Sequence, residues 1–305
     1  MVKYIAKRVL AALITIWVIM TATFFLMKAI PGDPFNAEKL PDPELRAAMY
    51  EKYGLDKPVW EQYLKTLGEY AQGDFGVSYQ KKGLTTNEII SSGFPYSLRI
   101  GMYASAAVIV LGILFGLLAA LRHNKLVDRL LMFLSTLGAT IPSFVFATLF
   151  LYVFSKQLGL VPTYGVGDWR GYIGPSIVLA IFPLAYVVRL MRSSMLDVLG
   201  QDYIRTARAK GLPEWKVVGK HGLRNALLPV VTYIGTLFAA LVTGSFVIEK
   251  VFSVPGIGSL FTTSVLNRDY TLIMGTTVFF AMILVVCVLF VDILYMLIDP
   301  RIRLD

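Results

Sequence analysis

Six stretches of this chain, residues 9–29, 98–121, 130–155, 172–195, 230–248 and 271–298, are apolar over a length that crosses a bilayer. A helix needs about 20 mainly apolar residues to span the hydrocarbon core. Lipid offers no hydrogen bonds, so each backbone N–H and C=O must be satisfied within its own segment, and such runs form helices. The expected fold is therefore all-α and polytopic, with six transmembrane helices. A composition of 56% hydrophobic and 16% charged residues, with mean hydropathy +0.65 over 305 residues, excludes a water-soluble domain.

The charges orient the spans. Lys3, Lys7, Arg8, Arg122, Lys125, Arg129, Arg189, Arg192, Arg301 and Arg303 fall at alternate ends of the runs, beside a central loop holding six more. Basic loops face the cytoplasm, so both termini are expected there. This bias also explains the net charge of +9, and nucleic-acid binding is excluded. Residues 9–29 are longer than the apolar core of a cleaved signal, and no small-x-small site precedes Pro31-Gly32-Asp33-Pro34, so a retained span is expected.

The division by composition is an N-terminal span (1–30), a polar insert (31–97) outside the cell, and a five-helix core (98–305) interrupted by a cytoplasmic loop (196–229). In the insert, residues 43–53 and 58–71 each open with proline and repeat apolar residues at helical spacing. They suit either plain packing or docking of a solute receptor. Pro142 inside the third run predicts a kink near Ile141, because proline removes a helix hydrogen bond. Pro183 lies midway along the fourth run.

Moving solute uphill needs an energy source, and the chain carries no evident one. It has no GxxxxGK[ST] phosphate loop, no GxSxG and no HExxH. The lone cysteine, Cys287, and two loop histidines, His123 and His221, offer neither a disulfide nor a metal site, and no catalytic residue or cofactor is assigned. Asp292 is expected to pair with Arg189 or Arg192, because all three lie toward the inner side; a proton relay is the alternative. An ion-coupled secondary transporter would need a midplane charge or an inverted repeat, and neither is clear.

Energy from outside must enter through a cytoplasmic contact. Residues 201–229 are the most basic segment, with Arg205, Arg208, Lys210, Lys216, Lys220 and Arg224 against Asp202 and Glu214. Gly211 suits the left-handed end of one helix, and Pro213-Glu214 the first turn of the next. Tyr203, Ile204, Ala207 and Leu212 offer apolar contact points among the charges. A loop that only fixed orientation, or touched lipid headgroups, would not need this pattern.

A second constellation is Thr243-Gly244-Ser245 with Glu249, followed by Pro255-Gly256-Ile257-Gly258. Small residues in a span serve close helix packing as readily as a channel-facing gate. Both readings stand.

Thr206-Ala207-Arg208-Ala209-Lys210-Gly211-Leu212, with Leu228-Pro229 following, resembles the EAA loop of binding-protein-dependent ABC importer permeases. Gly73-Asp74-Phe75-Gly76, Asn267-Arg268-Asp269-Tyr270 and Asp299-Pro300 extend the resemblance over the whole chain, most closely to the B subunit of the oligopeptide permeases. Arg205-Thr206-Ala207 stands where the general motif has Glu-Ala-Ala, as is usual in the peptide branch.

The resemblance implies a type I importer fold with an extracytoplasmic helical insert. It implies a homologous second permease, two cytoplasmic ATPases that bind ATP and Mg, an extracytoplasmic receptor, and membrane lipid around the spans. Tyr203 and the run Arg205, Thr206, Ala207, Arg208, Ala209, Lys210, Gly211 and Leu212 would make the coupling contact, in a subunit of a prokaryotic cell membrane. Oligopeptide is the expected solute; dipeptides, nickel, glutathione and oligosaccharides are alternatives within the branch.

Overall fold

In a computed structural model, the backbone is described for residues 2–29, 34–35, 42–81 and 83–298, and side chains within those ranges from residue 6 to 290. Apart from Pro34, the Pro31–Pro34 motif lies outside the described residues, as do Asp299-Pro300 and the side chain of Asp292. The elements are α1 (Val2–Ala29), α2 (Pro43–Tyr53), α3 (Val59–Ala71), α4 (Thr86–Leu121), α5 (Leu126–Thr140) and α6 (Ser143–Phe150), which continues as a π-helix over Leu151–Gln157. After a 3-10 turn at Trp169–Tyr172 come α7 (Ile173–Leu199), α8 (Asp202–Ala209) and α9 (Glu214–Lys216), the last followed by a π-helix over Val217–Leu223. Then follow α10 (Arg224–Val242), α11 (Phe246–Val251), α12 (Ile257–Asn267) and α13 (Tyr270–Ile298). Among the described residues the sole β pairing is an isolated bridge, Val77 to Thr85.

Among the described residues five helical segments are long and apolar enough to cross a membrane, and six if the bent pair α5 and α6 counts as one span. That pair turns through 106°, a break where the sequence predicts a kink. Ile141, preceding proline, is extended (φ −75°, ψ 124°), and Pro142 cannot donate to the previous turn, so a new helix starts instead. The Oγ1 hydroxyls of Thr136 and Thr140 donate to the carbonyls of Met132 and Thr136, at 2.9 and 2.7 Å. Pro183, in contrast, leaves α7 continuous. Helix α4 also starts earlier than the apolar run, at Thr86, and carries Pro95 within it.

The chain forms two compact units. The first gathers residues up to Pro95 with Gly256–Leu289. Its core joins Met20, Phe24 and Met27 of α1 to Phe75, Ile90, Ile257, Met274 and Val278. The earlier part of α1, with Leu10, Leu13, Ile14 and Trp17, is exposed, as suits contact with lipid tails. Helix α2 is capped by Asp42, whose carboxylate accepts from the Glu44 N–H at 2.9 Å, and by proline at its first turn. Asp269, 1% exposed, caps α13 through the Leu272 N–H at 3.3 Å. The same carboxylate accepts from the Ser78 hydroxyl and from the Tyr79 and Gln80 N–H groups, tying the 78–80 turn to the start of α13.

The second unit comprises Tyr96–Pro255 and continues from Phe290. Helix α7 is its axis: Val187, Met191 and Met195 are inaccessible to solvent and pack with Ala104 and Val108 of α4 and Ala226 and Val230 of α10. The approach is close because α4 presents glycine there. A Cβ on Gly116 would lie 2.5 Å from Met191 Cβ, and one on Gly101 would lie 2.5 Å from the Leu241 carbonyl oxygen.

Candidate functional site

Three features of the second unit carry chemistry or mechanics. The first is the bent basic loop. Helix α8 ends at Ala209, Gly211 takes φ +72°, and α9 starts after Pro213, as the sequence predicts. A Cβ on Gly211 would meet nothing within 4 Å, so the backbone angle alone selects glycine. Arg208 clasps Glu214 across the corner with two charge-assisted bonds, Nη2 to Oε1 at 2.6 Å and Nε to Oε2 at 3.2 Å. Beneath them Ile204, Ala207 and Val217 form a small core with Val198, Leu199 and Leu212.

This corrects part of the sequence reading. Ile204 and Ala207, read as contact points, are turned inward, at 0% and 6% exposure, because a three-turn hook can bury only one apolar face and they lie on it. The exposed groups are Tyr203, Arg205, Thr206, Arg208, Ala209 and Lys210, with Gly211 at the corner. Trp215, which sequence reasoning passed over, is 72% exposed. Tyr203 also accepts a hydrogen bond from Asn225 Nδ2 at 2.9 Å, joining α8 to α10. The hook is thus braced to both helices that flank it.

The second feature is an ion cluster at the end of α7 that leads to the hook. Arg192 binds Asp128 at the start of α5 through Nε to Oδ1 at 2.6 Å and Nη2 to Oδ2 at 2.8 Å. Asp128 also accepts from the Asn124 N–H at 2.9 Å, and His123 Nδ1 lies 3.4 Å from it. Its side chain is 3% exposed. Asp292 was expected to pair with Arg189 or Arg192; its side chain lies outside the described residues, and among those described Arg192 is held by Asp128 at the start of α5. The signal was present, since Asp128 is the lone acid among Arg122, His123, Lys125 and Arg129. Arg189 is half-buried on α7.

The third feature is the break between α10 and α11. Thr243, Gly244 and Ser245 are half-buried, and Gly244 takes φ +88°. Here space matters as well as angle: a Cβ would lie 2.3 Å from Glu249 Oε1 and 2.9 Å from Ser97 Oγ. The Ser97 hydroxyl donates to Glu249 Oε1 at 2.7 Å, and Glu249 is 2% exposed. The backbone opening therefore folds over a buried carboxylate. Pro255 is exposed at the end of this unit. Gly256 precedes α12 in the other unit, where Ile257 is inaccessible, packed in the core with Met274 and Phe24. As a candidate gate residue Ile257 is corrected to a core residue, its helix being amphipathic with that side inward.

Exposed hydroxyls on the long helices were missed as well. Thr232 and Thr236 of α10 and Thr136 and Thr140 of α5 face outward on otherwise apolar helices, and exposed Tyr186 of α7 packs at a tilt on Tyr233 of α10, ring centres 4.3 Å apart. Thr232 and Thr236 donate to their own helix, to the carbonyls of Leu228 and Tyr233. Among the described residues no group of three His, Cys, Asp or Glu side chains is placed to hold a metal ion.

An all-α chain with several spans, one broken at a buried carboxylate, and a rigid basic hook between two of them has the build of a membrane transport subunit. The family model described as the binding-protein-dependent transport system inner membrane component matches residues 112–304, and its N-terminal companion matches residues 1–100. The chain belongs to this family, and is an integral membrane permease subunit of the ABC importer class and not an enzyme. It is 46% identical to the dipeptide transport system permease protein DppB of Bacillus subtilis, over 100% of this chain and 99% of that one. It is 44% identical to the oligopeptide transport system permease protein OppB of Haemophilus influenzae and 40% identical to OppB of Escherichia coli K12, each over 99% of this chain and 100% of the relative.

Proposed function

We propose that this chain forms half of the translocation pathway of an ATP-driven peptide importer, with oligopeptides as solute, and that it receives its driving force through the hook. The observation that carries the coupling role is the corner itself: a left-handed Gly211 locked by the Arg208–Glu214 clasp and braced by Tyr203 to α10. A braced hook transmits a displacement to α7 and α10, whereas a loose loop would absorb it. The relatives named as peptide permeases support the solute class. The partners are a homologous permease, two ATPases that hold ATP and Mg on the cytoplasmic side, and a receptor outside, where the insert lies. Both termini are cytoplasmic in this arrangement.

The test is peptide uptake by the assembled transporter, with vanadate as the inhibitor of the ATPases. Tyr203→Ala, at an exposed position, should lower uptake while leaving the receptor's peptide affinity unchanged; full uptake would remove the coupling role. Ala207→Asp also abolishes uptake, by disrupting the hook's core. Cysteines at Thr243 or Ser245 should react with hydrophilic thiol reagents in a nucleotide-dependent way, and constant labelling in every state would exclude a gate at the break. Uptake driven by an ion gradient and indifferent to vanadate would favour a secondary transporter. The dipeptide reading rests on the similarity to DppB, and mass spectrometry of solute copurifying with the receptor separates it from the oligopeptide reading.

A further inference from the structure

The first unit contains a cavity of about 450 Å³ framed by α2, α3, the end of α1 and the start of α13. Helix α3 turns two of its rows into it, Glu61, Lys65 and Glu69 beside Gln62, Thr66 and Tyr70. Both rows repeat at i, i+4 and i+8, so they lie on one helix face. Some of these groups are already committed. The Gln62 side-chain amide donates to the carbonyls of Leu55 and Lys57, at 3.3 and 2.7 Å, while its oxygen accepts from Lys28. Lys65 lies 3.6 Å from Glu69.

Lys57 and Glu61 are different. Both line the cavity, and neither is in an ion pair among the described residues, although Glu61 is half-buried. The walls are aromatic: Tyr53 packs on Tyr79 at 4.7 Å, and Tyr70 meets Phe75 edge-on at 5.1 Å. The Tyr70 hydroxyl is buried with no hydrogen-bond partner among the described residues. Six aromatic and seven charged side chains share the lining, a mixture that suits a small ligand carrying both apolar and charged groups.

We propose that this cavity captures a short peptide with free termini. Its ammonium group binds Glu61, its carboxylate binds Lys57 with Lys52 nearby, and an apolar side chain lies against Tyr53 and Tyr79. The inference rests on the peptide-importer reading and adds a site for the solute on this chain, apart from the receptor. A simple anion is disfavoured by Glu61, Glu69 and Asp74 on the lining, and a simple cation by Lys28, Lys52, Lys57 and Lys65. A zwitterion satisfies both sets. The volume lies within the range of roughly 300–1,000 Å³ typical of small-ligand pockets, enough for a peptide of a few residues.

The experiment uses the full chain in phospholipid nanodiscs and saturation-transfer NMR with three probes: Ala-Phe-Ala with free termini, the same tripeptide acetylated and amidated, and glycerol 3-phosphate as a lipid-headgroup mimic. The free tripeptide should bind, the blocked form about tenfold more weakly. Lys57→Gln and Glu61→Gln should each weaken the free tripeptide while leaving the blocked form unchanged, with thermal stability retained. Absence of binding, equal binding of the blocked form, or preference for glycerol 3-phosphate overturns the site. Tripeptide uptake by cells carrying the complete transporter separates the two readings. Chain-dependent uptake without binding in nanodiscs removes the cavity site and leaves the importer; absence of chain-dependent uptake of any peptide removes the importer reading and the site with it.

Discussion

At the scale of single residues, the contacts with the greatest leverage are charges held in largely buried settings. Asp128 gives both carboxylate oxygens to Arg192 and a third bond to the Asn124 N–H. Removing one partner of such a pair leaves the other uncompensated, so Asp128→Ala should destabilise the second unit by about 2–3 kcal/mol. Thermal unfolding in detergent measures this, and the exchange Asp128→Arg with Arg192→Asp should recover part of the loss. Tyr79 responds to pH. Burial pushes its phenol up, and the nearby Asp269, Tyr53 and Glu69 push the same way against a lowering hydrogen bond to Thr271. An acid whose folded-state value is raised stays neutral past the ordinary phenol range near pH 10, and stability falls as pH rises above the unfolded value. Burial raises Tyr70 as well, so ultraviolet titration should show a class of tyrosines that ionises later than free tyrosine, and Tyr79→Phe should shrink that class by one; titration of all tyrosines together would contradict the burial.

At the scale of elements, α8 and α9 work as one bent piece, and substitutions at its corner separate conformation from charge. Gly211→Ala meets no neighbour and carries only the left-handed backbone cost, about 1–2 kcal/mol. Gly211→Pro cannot adopt φ +72° at all and should open the corner. Transport should fall much further in the proline variant than in the alanine variant, and equal rates in the two would mean the corner's angle is not what couples. Arg208→Ala should cost less than about 1 kcal/mol of stability, since the clasp is exposed. Its uptake should nonetheless drop, because the corner loses its lock; unchanged uptake would assign stiffness to the Ile204, Ala207 and Val217 core alone. At the α10–α11 break, Gly244 faces both an unfavourable angle and the Glu249 carboxylate, which makes it the less replaceable of the two glycines.

At the scale of the whole molecule, apolar helices flank a bent basic hook, and the proposed coupling draws its energy from partner ATPases. Reconstituted alone in liposomes, the chain should fail to accumulate tripeptide against a gradient, and should do so when the second permease, both ATPases, the receptor and ATP are supplied. Accumulation by the lone chain, measured with labelled peptide, would end the coupling model. Much of this organisation was legible in the sequence. Apolar length marked the spans, proline and helical spacing marked α2 at Pro43–Tyr53, and Gly211 with Pro213 marked the hook. These signals are local, because helix length, caps and glycine angles depend on a residue and its near neighbours. Only the tertiary structure decided that Arg192 meets Asp128, that Ile204, Ala207 and Ile257 face inward, that a span breaks through 106° at Pro142 while α7 runs on unbroken past Pro183, and that Gly244 closes over Glu249. Each of those outcomes depends on which helix packs beside which, and residues distant along the chain set that choice through close packing and paired charge, which no local pattern encodes.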